Sequence, residues 1–275
     1  MQQLNNSNEL LFTTAHKEMF RLPTDDEYNA KYGAYNEFKS SEFSRVSYVR
    51  NKNDFINNNS EVMCSSTLDV FAWLSNKVNI KDNVHQKKEK NLFMLTYGTL
   101  LHLQREKQIL THPETNEYID KDIDVWASPN IILTILKLEE ELYHKFGWTM
   151  RGFVNSDNYI VFLQLFATCG HKINSSPDPV TSDQPPIEIS PFSLLLENNS
   201  TARAYKDLWL GTIIPESMIF PEQRVDFTIS SNNLVHLQTP RAPLDILLCL
   251  YGTKWIVRNP NKHAPKHGDC RNHPV

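Results

Sequence analysis

The chain lacks a basic excess, a long apolar run and a cysteine motif, and the first two absences narrow the classes of function. Its 28 Lys and Arg are outnumbered by 32 Asp and Glu, for a formal net charge of -4. An extended electropositive footprint for nucleic acid is therefore not expected. No apolar run reaches the roughly 18 to 20 residues that a membrane-spanning helix needs. The N-terminus, Met-Gln-Gln-Leu-Asn-Asn, has no basic segment followed by an apolar stretch, so no secretory signal is read there. The four cysteines (Cys64, Cys169, Cys249, Cys270) are scattered and form no paired motif. They neither demand nor exclude an oxidising compartment. Sequons at Asn5, Asn58, Asn174, Asn198 and Asn199 carry little weight in a chain so rich in Asn and Ser. Internal repeats are absent as well.

What is present is 275 residues, 40% of them hydrophobic, enough for one substantial core. Residues 1–60 are polar and Asn-rich, close with the loop signal Asn57-Asn-Asn-Ser60, and read as an N-terminal extension. Residues 61–260 carry the patterned segments, and residues 261–275 form a His-rich tail.

Ser66-Thr-Leu-Asp69 is a capping-box pattern ahead of Val70, Phe71, Trp73 and Leu74, and predicts an amphipathic helix that fades into the charged Gln86–Lys90. Leu92–Leu95 reads as a short buried strand, Gly98 as the turn out of it, and Thr99–Arg105 as a helix start. Tyr118–Ala127 reads as an acidic strand. Ser128-Pro129 is an N-cap and N1 pair opening a helix that runs to Phe146 and ends at Gly147. Trp148–Val154, Tyr159–Thr168 and Ile187–Ile189 are β-like, with a Pro-rich loop between the last two. A further segment spans Trp209–Phe227, and a final helix spans Pro243–Leu250, ended by Gly252. This order predicts a compact α+β or α/β domain around a mixed sheet.

The chemistry concentrates between Leu95 and Ala127. An apolar run ends in Tyr97-Gly98-Thr99, and Asp120-Lys-Asp122-Ile-Asp124 follows about twenty residues later. Side chains at i, i+2 and i+4 of a strand share a face, so these aspartates converge if the strand includes them. Like charges so close raise one another's pKa, and a hard cation such as Mg²⁺ relieves the conflict while leaving positions for phosphate oxygens. Glu188, flanked by Ile187 and Ile189, is the best candidate for a further carboxylate from another strand.

These residues resemble the LicD/fukutin family of phosphotransferases, and Tyr118–Asp124 looks closer to its fukutin branch. The likeness rests on Tyr97-Gly-Thr-Leu-Leu101 with Arg105, on Asp120–Asp124, on Ile187-Glu-Ile-Ser-Pro-Phe192, and on a closing pattern. That last pattern is Ile219-Phe-Pro221, Val225-Asp-Phe227 and Tyr251-Gly-Thr-Lys-Trp255. The resemblance implies a nucleotidyltransferase-like mixed sheet flanked by helices. It implies transfer of a phospho-alcohol, such as phosphoribitol or phosphocholine, from a CDP-activated donor to a hydroxyl of a glycan, glycoprotein or glycolipid.

Carried over position by position, Asp122 and Asp124 would bind Mg²⁺ or Mn²⁺. Glu188 would be the third acidic residue, a metal ligand or the base for the acceptor hydroxyl. Gly98 and Thr99 would sit against the donor phosphates, and Arg105 would pair with phosphate or brace the acidic strand. Tyr251 and Trp255 would support the core or wall the donor pocket. Family members work in the secretory pathway. The chain departs from the pattern at His102, where a small residue is usual, at Lys121, and at Glu188, which is one methylene longer than Asp.

Two other functions fit the same residues. One is a relative that keeps the fold without turnover, as a glycan-binding or regulatory protein. The other is a nucleotidyl transferase that moves NMP. In the tail, His263, His267, Cys270 and His273 have spacings seen in zinc sites. Pro265 and Pro274 interrupt the segment and no second knuckle exists, which favours a polar tail instead.

Overall fold

The computed structural model describes residues 36–39, 44–47, 64–79, 92–110, 120–154, 160–167, 184–195, 203–230, 233–253, 255 and 268–272. Several sequence expectations lie outside these residues: the loop at 57–60, the charged run at 86–90, all five sequons, Tyr118, and His263, His267 and His273.

The strands are β1 (Asn36–Lys39), β2 (Ser44–Ser47), β3 (Phe93–Leu95), β4 (Ile123–Ala127), β5 (Trp148–Val154), β6 (Ile160–Ala167), β7 (Ile187–Leu195), β8 (Ala204–Asp207), β9 (Ile213–Pro215), β10 (Gln223–Ser230) and β11 (Asn233–Thr239). The helices are α1 (Thr67–Asn79), α2 (Tyr97–Glu106), α3 (Pro129–Leu136), α4 (Glu139–Phe146), α5 (Glu216–Ile219) and α6 (Pro243–Tyr251). The strands form one mixed sheet in the order β1-β2-β5-β6-β7-β4-β3-β11-β10, with β8 and β9 attached through β7. The β4/β7 and β11/β3 pairs are parallel and the others antiparallel. The mixed α+β architecture matches the sequence expectation.

Local signals account for most helix ends. Ser66 Oγ donates to Asp69 Oδ2 at 2.7 Å and accepts from Asp69 N at 3.2 Å, so the capping box forms at α1. Pro129 opens α3. Gly147, at φ 68°, ends α4 in the left-handed conformation that glycine adopts without a Cβ penalty. The expected single helix over Pro129–Phe146 is two, broken at Lys137-Leu138. The acidic run Glu139-Glu140-Glu141 supplies a new first turn, where negative side chains are favoured by the helix dipole.

Within the N-terminal 60 residues, β1 and β2 extend the sheet through β5. Two other readings change. β7 runs to Leu195, well past Ile189, because its second half pairs with β8. The C-terminal segment is tied down at Cys270, which is fully buried and disulfide-bonded to Cys249 on α6. A cysteine in a disulfide is not a zinc ligand, so the zinc-like spacing of the tail loses that member. Cys64 is disulfide-bonded too.

Alternation along the strands divides the core. Phe93, Leu95, Ile123, Val125, Leu163, Leu165, Ile187 and Ile189 face one side, under α1, α3 and α4. Met94, Trp126 and Phe192 face the other, with Met218, Ile219, Ile246 and Leu250 from α5 and α6. Period-two alternation therefore puts Asp124, Gln164 and Glu188 on this second side. No helix among the described residues is long and apolar enough to cross a membrane.

Candidate metal centre

The site is built around one residue of β4. Asp124 is gripped by the β3–α2 turn at three atoms. Thr96 N donates to its carbonyl at 3.1 Å, its own N donates to Thr99 Oγ1 at 2.8 Å, and Gly98 N donates to its Oδ2 at 3.0 Å. A strand followed at once by a glycine turn and a helix start makes this grip possible. The first-turn amide also points the positive end of α2 at the carboxylate.

Position 98 has little room for a side chain. A Cβ there would lie 2.8 Å from Asp120 Oδ2 and 3.2 Å from Asp124 Oδ2. Two carboxylates thus press on the bare backbone of the turn.

Tyr97, just before it, has φ 42°, a strained value for a non-glycine residue. Its side chain is anchored deeply. Tyr97 Oη donates to Asp207 Oδ2 at 2.5 Å, and Trp126 Nε1 donates to the same oxygen at 2.7 Å. Asp207 Oδ1 accepts from Trp209 N and Leu210 N at 2.7 and 2.9 Å. Burial raises the pKa of Asp207, and these four donors pull it back toward the charged form. Asp207 acts as an internal peg that holds the turn. It escaped the sequence reading, although Asp207-Leu-Trp-Leu-Gly211 has the Asx-turn form that marks such a residue.

Asp120, Asp122 and Asp124 each offer a carboxylate oxygen, and these atoms lie within 4.8 Å of one another. The trio is therefore arranged so that it could hold a metal ion. Convergence does not come from strand alternation as expected, because β4 begins at Ile123 and residues 120–122 bend onto it. Burial, then the charge of Asp122, raises Asp120 to a pKa of about 7. Burial raises Asp122 as well, against the opposing pull of Lys121. Asp124 is raised well above the ordinary carboxylate range, first by burial, then by Asp122, Glu188 and Asp120, with the Gly98 amide opposing.

The other expected site residues fall as follows. Glu188 is not one of the trio. It stands next to Asp124 in the parallel β4/β7 register and close enough to raise its pKa. Gly98 lies against the acids, with its amide donating to Asp124 Oδ2. Thr99 is fully buried and its hydroxyl accepts from Asp124 N, so the side chain braces the acidic strand.

Arg105 is half-buried at the end of α2, and its positive charge reaches the ring of Tyr251. Tyr251, at the end of α6, is raised above the usual phenol range by burial, then by Asp124, Asp120 and Asp122. It therefore stands beside the acids, while Trp255 packs on Leu100, Leu101 and Leu247.

Two neighbours were not singled out as part of the site. His102 Nε2 lies 3.7 Å from Asp120 Oδ2, and its Nδ1 lies 3.5 Å from Glu106 Oε1. Gln164 Nε2 donates to Glu188 Oε1 at 2.7 Å.

No protein-family model matches the chain, and no curated protein or solved structure does so either. The case for function therefore stands on the geometry of the acidic site and on the resemblance of its motifs.

Proposed function

We propose that the chain is a metal-dependent phosphotransferase of the LicD/fukutin kind, with a nucleotidyltransferase-like fold. It would move a phospho-alcohol from a CDP-activated donor to a carbohydrate hydroxyl. The observation that carries this reading is the convergence of Asp120, Asp122 and Asp124 against the Gly98 turn.

The residues fit a hard divalent cation. All the donors are carboxylate oxygens, the preference of Mg²⁺ and Mn²⁺. Asp120 Oδ2 is buried with no hydrogen-bond donor, an arrangement that costs free energy unless a cation or a proton completes it. Like charges facing each other across neighbouring strands, as Asp124 and Glu188 do, destabilise a sheet on their own account. Such local conflict is characteristic of functional sites.

Asp120, Asp122 and Asp124 would hold Mg²⁺. When bound, the ion would neutralise the donor's diphosphate and the charge that develops on it. The chain's own residues divide the remaining work. The Gly98 turn fixes Asp124, and Thr99 fixes its backbone. Glu188 would take the proton of the acceptor hydroxyl as that oxygen forms a bond to the alcohol-bearing phosphorus. The bond from phosphorus to CMP then breaks and CMP leaves. Tyr251 and Arg105 would flank the donor. The Cys249–Cys270 disulfide supports a compartment where thiols are oxidised, as the secretory pathway is.

Incubation with CDP-ribitol or CDP-choline, Mg²⁺ and a glycan panel tests the reading by CMP release. Asp124→Asn should lower release by two to three orders of magnitude, on the order of the loss when one charge-stabilising group is removed. Wild-type turnover in that variant would refute the assignment. Pyrophosphate released from an NTP would identify a nucleotidyl transferase instead. Donor binding without release would identify a non-catalytic relative.

A further inference from the structure

The departure of this chain at Glu188 has a structural counterpart on the next strand. Gln164 and Glu188 are register partners across β6/β7, and Glu188 and Asp124 are partners across β7/β4. The three side chains therefore form one row across three adjacent strands, on the same face of the sheet. Leu163 and Leu165 turn into the opposite core. Gln164 is buried at 8% exposure, so its amide needs a partner, and it donates to Glu188 Oε1 at 2.7 Å.

We propose that Gln164 is a positioning residue that pins Glu188 beside Asp124 and so keeps a fourth negative charge in the field of the bound cation. The inference rests on the cation reading above and adds to it the residue that places the charge. A glutamate has one more rotatable bond than an aspartate, and an unrestrained carboxylate beside Asp124 would swing away to lower the repulsion. A neutral amide suits the task. It holds one oxygen of Glu188 by hydrogen bonding and brings no positive charge to compete with a cation. A lysine or arginine at the same place would neutralise the charge it positions. The electrostatic influence of Glu188 on Asp124 agrees with this placement.

The test is Mn²⁺ affinity of the full chain, read by calorimetry and by the electron-spin signal of free Mn²⁺. Gln164→Met is nearly isosteric and removes the donor. Gln164→Leu serves as a second variant if the first fails to fold, with circular dichroism as the check. Either should weaken Mn²⁺ binding by about tenfold, the lower end of what loss of a supporting hydrogen bond costs a metal site. In a Glu188→Gln background, the same change at Gln164 should have no further effect, because its influence passes through Glu188. Wild-type affinity in a folded Gln164 variant overturns this inference and leaves the cation reading standing. Equal weakening with and without Glu188 overturns it too, by showing a general structural role. A wild type that binds no Mn²⁺ overturns the cation reading and this inference together.

Discussion

Replacing Asp120 by Asn should stabilise the cation-free protein at pH 8, and by less than half as much at pH 5, which lies only a little above the unfolded carboxyl's value. Burial and the charge of Asp122 raise the Asp120 carboxyl from 3.8 to about 7. An acid whose folded pKa is raised binds its proton more tightly in the folded chain than in the unfolded one. Its contribution to stability is fully present below the unfolded value. It is lost as pH rises through about 7.

The upper bound on that loss is about 4 kcal/mol. The side chain keeps 16% exposure, and water and local relaxation reduce the figure to roughly 2 kcal/mol. Asn keeps the acceptor that Lys121 N uses at 2.8 Å and removes the charge. Loss of the 3.7 Å contact with His102 works against the gain but is the smaller effect. For a chain of this size, about 2 kcal/mol is a rise in Tm of roughly 4–8 °C. The assay is thermal unfolding of both proteins in chelator at the two pH values. An equal Tm difference at pH 5 and pH 8, or destabilisation at pH 8, would refute the placement of Asp120 among buried like charges.

Three further outcomes follow from the same geometry. Gly98→Ala should weaken Mn²⁺ binding at least tenfold, because its Cβ meets Asp120 Oδ2 at 2.8 Å and drives the carboxylates apart; unchanged calorimetric affinity would contradict this. Asp207→Ala should destabilise by roughly 3–5 kcal/mol in denaturant unfolding, since it orphans the buried donors of Tyr97 and Trp126 and two backbone amides; a loss under about 1 kcal/mol would mean that Asp207 is not the peg of the turn. Replacing Cys249 and Cys270 by Ser together should cost about 3 kcal/mol, as the bridge closes a separation of 21 residues; an unchanged unfolding midpoint would count against the disulfide.

Signals confined to a few neighbouring residues were legible in the sequence. The Ser66 capping box, the Ser128-Pro129 start, and Gly147 and Gly252 as helix ends all appear where local chemistry puts them. Glu188 sits between fully buried Ile187 and Ile189, as its flanks suggested. What was illegible depends on partners distant in sequence. β8 has no strong pattern of its own and is placed by its pairing with β7. The Cys249–Cys270 bridge has no spacing signature.

Within the site, the acidic run was read as one strand, yet aspartate is a poor strand former and only Asp124 enters β4. The resemblance implies that Thr99 sits against the donor phosphates; that its hydroxyl also accepts from Asp124 N on β4 depends on strand placement and is not legible in the motif. Gln164 carries no motif at all. Its relevance appears only when register sets it opposite Glu188.

The most direct test of the central claim is calorimetric titration of CDP, with and without Mg²⁺, into wild type and into Asp122→Asn/Asp124→Asn. The account predicts Mg²⁺-dependent binding by the wild type that disappears in the double variant. Binding that ignores Mg²⁺, or that survives loss of both aspartates, would contradict it.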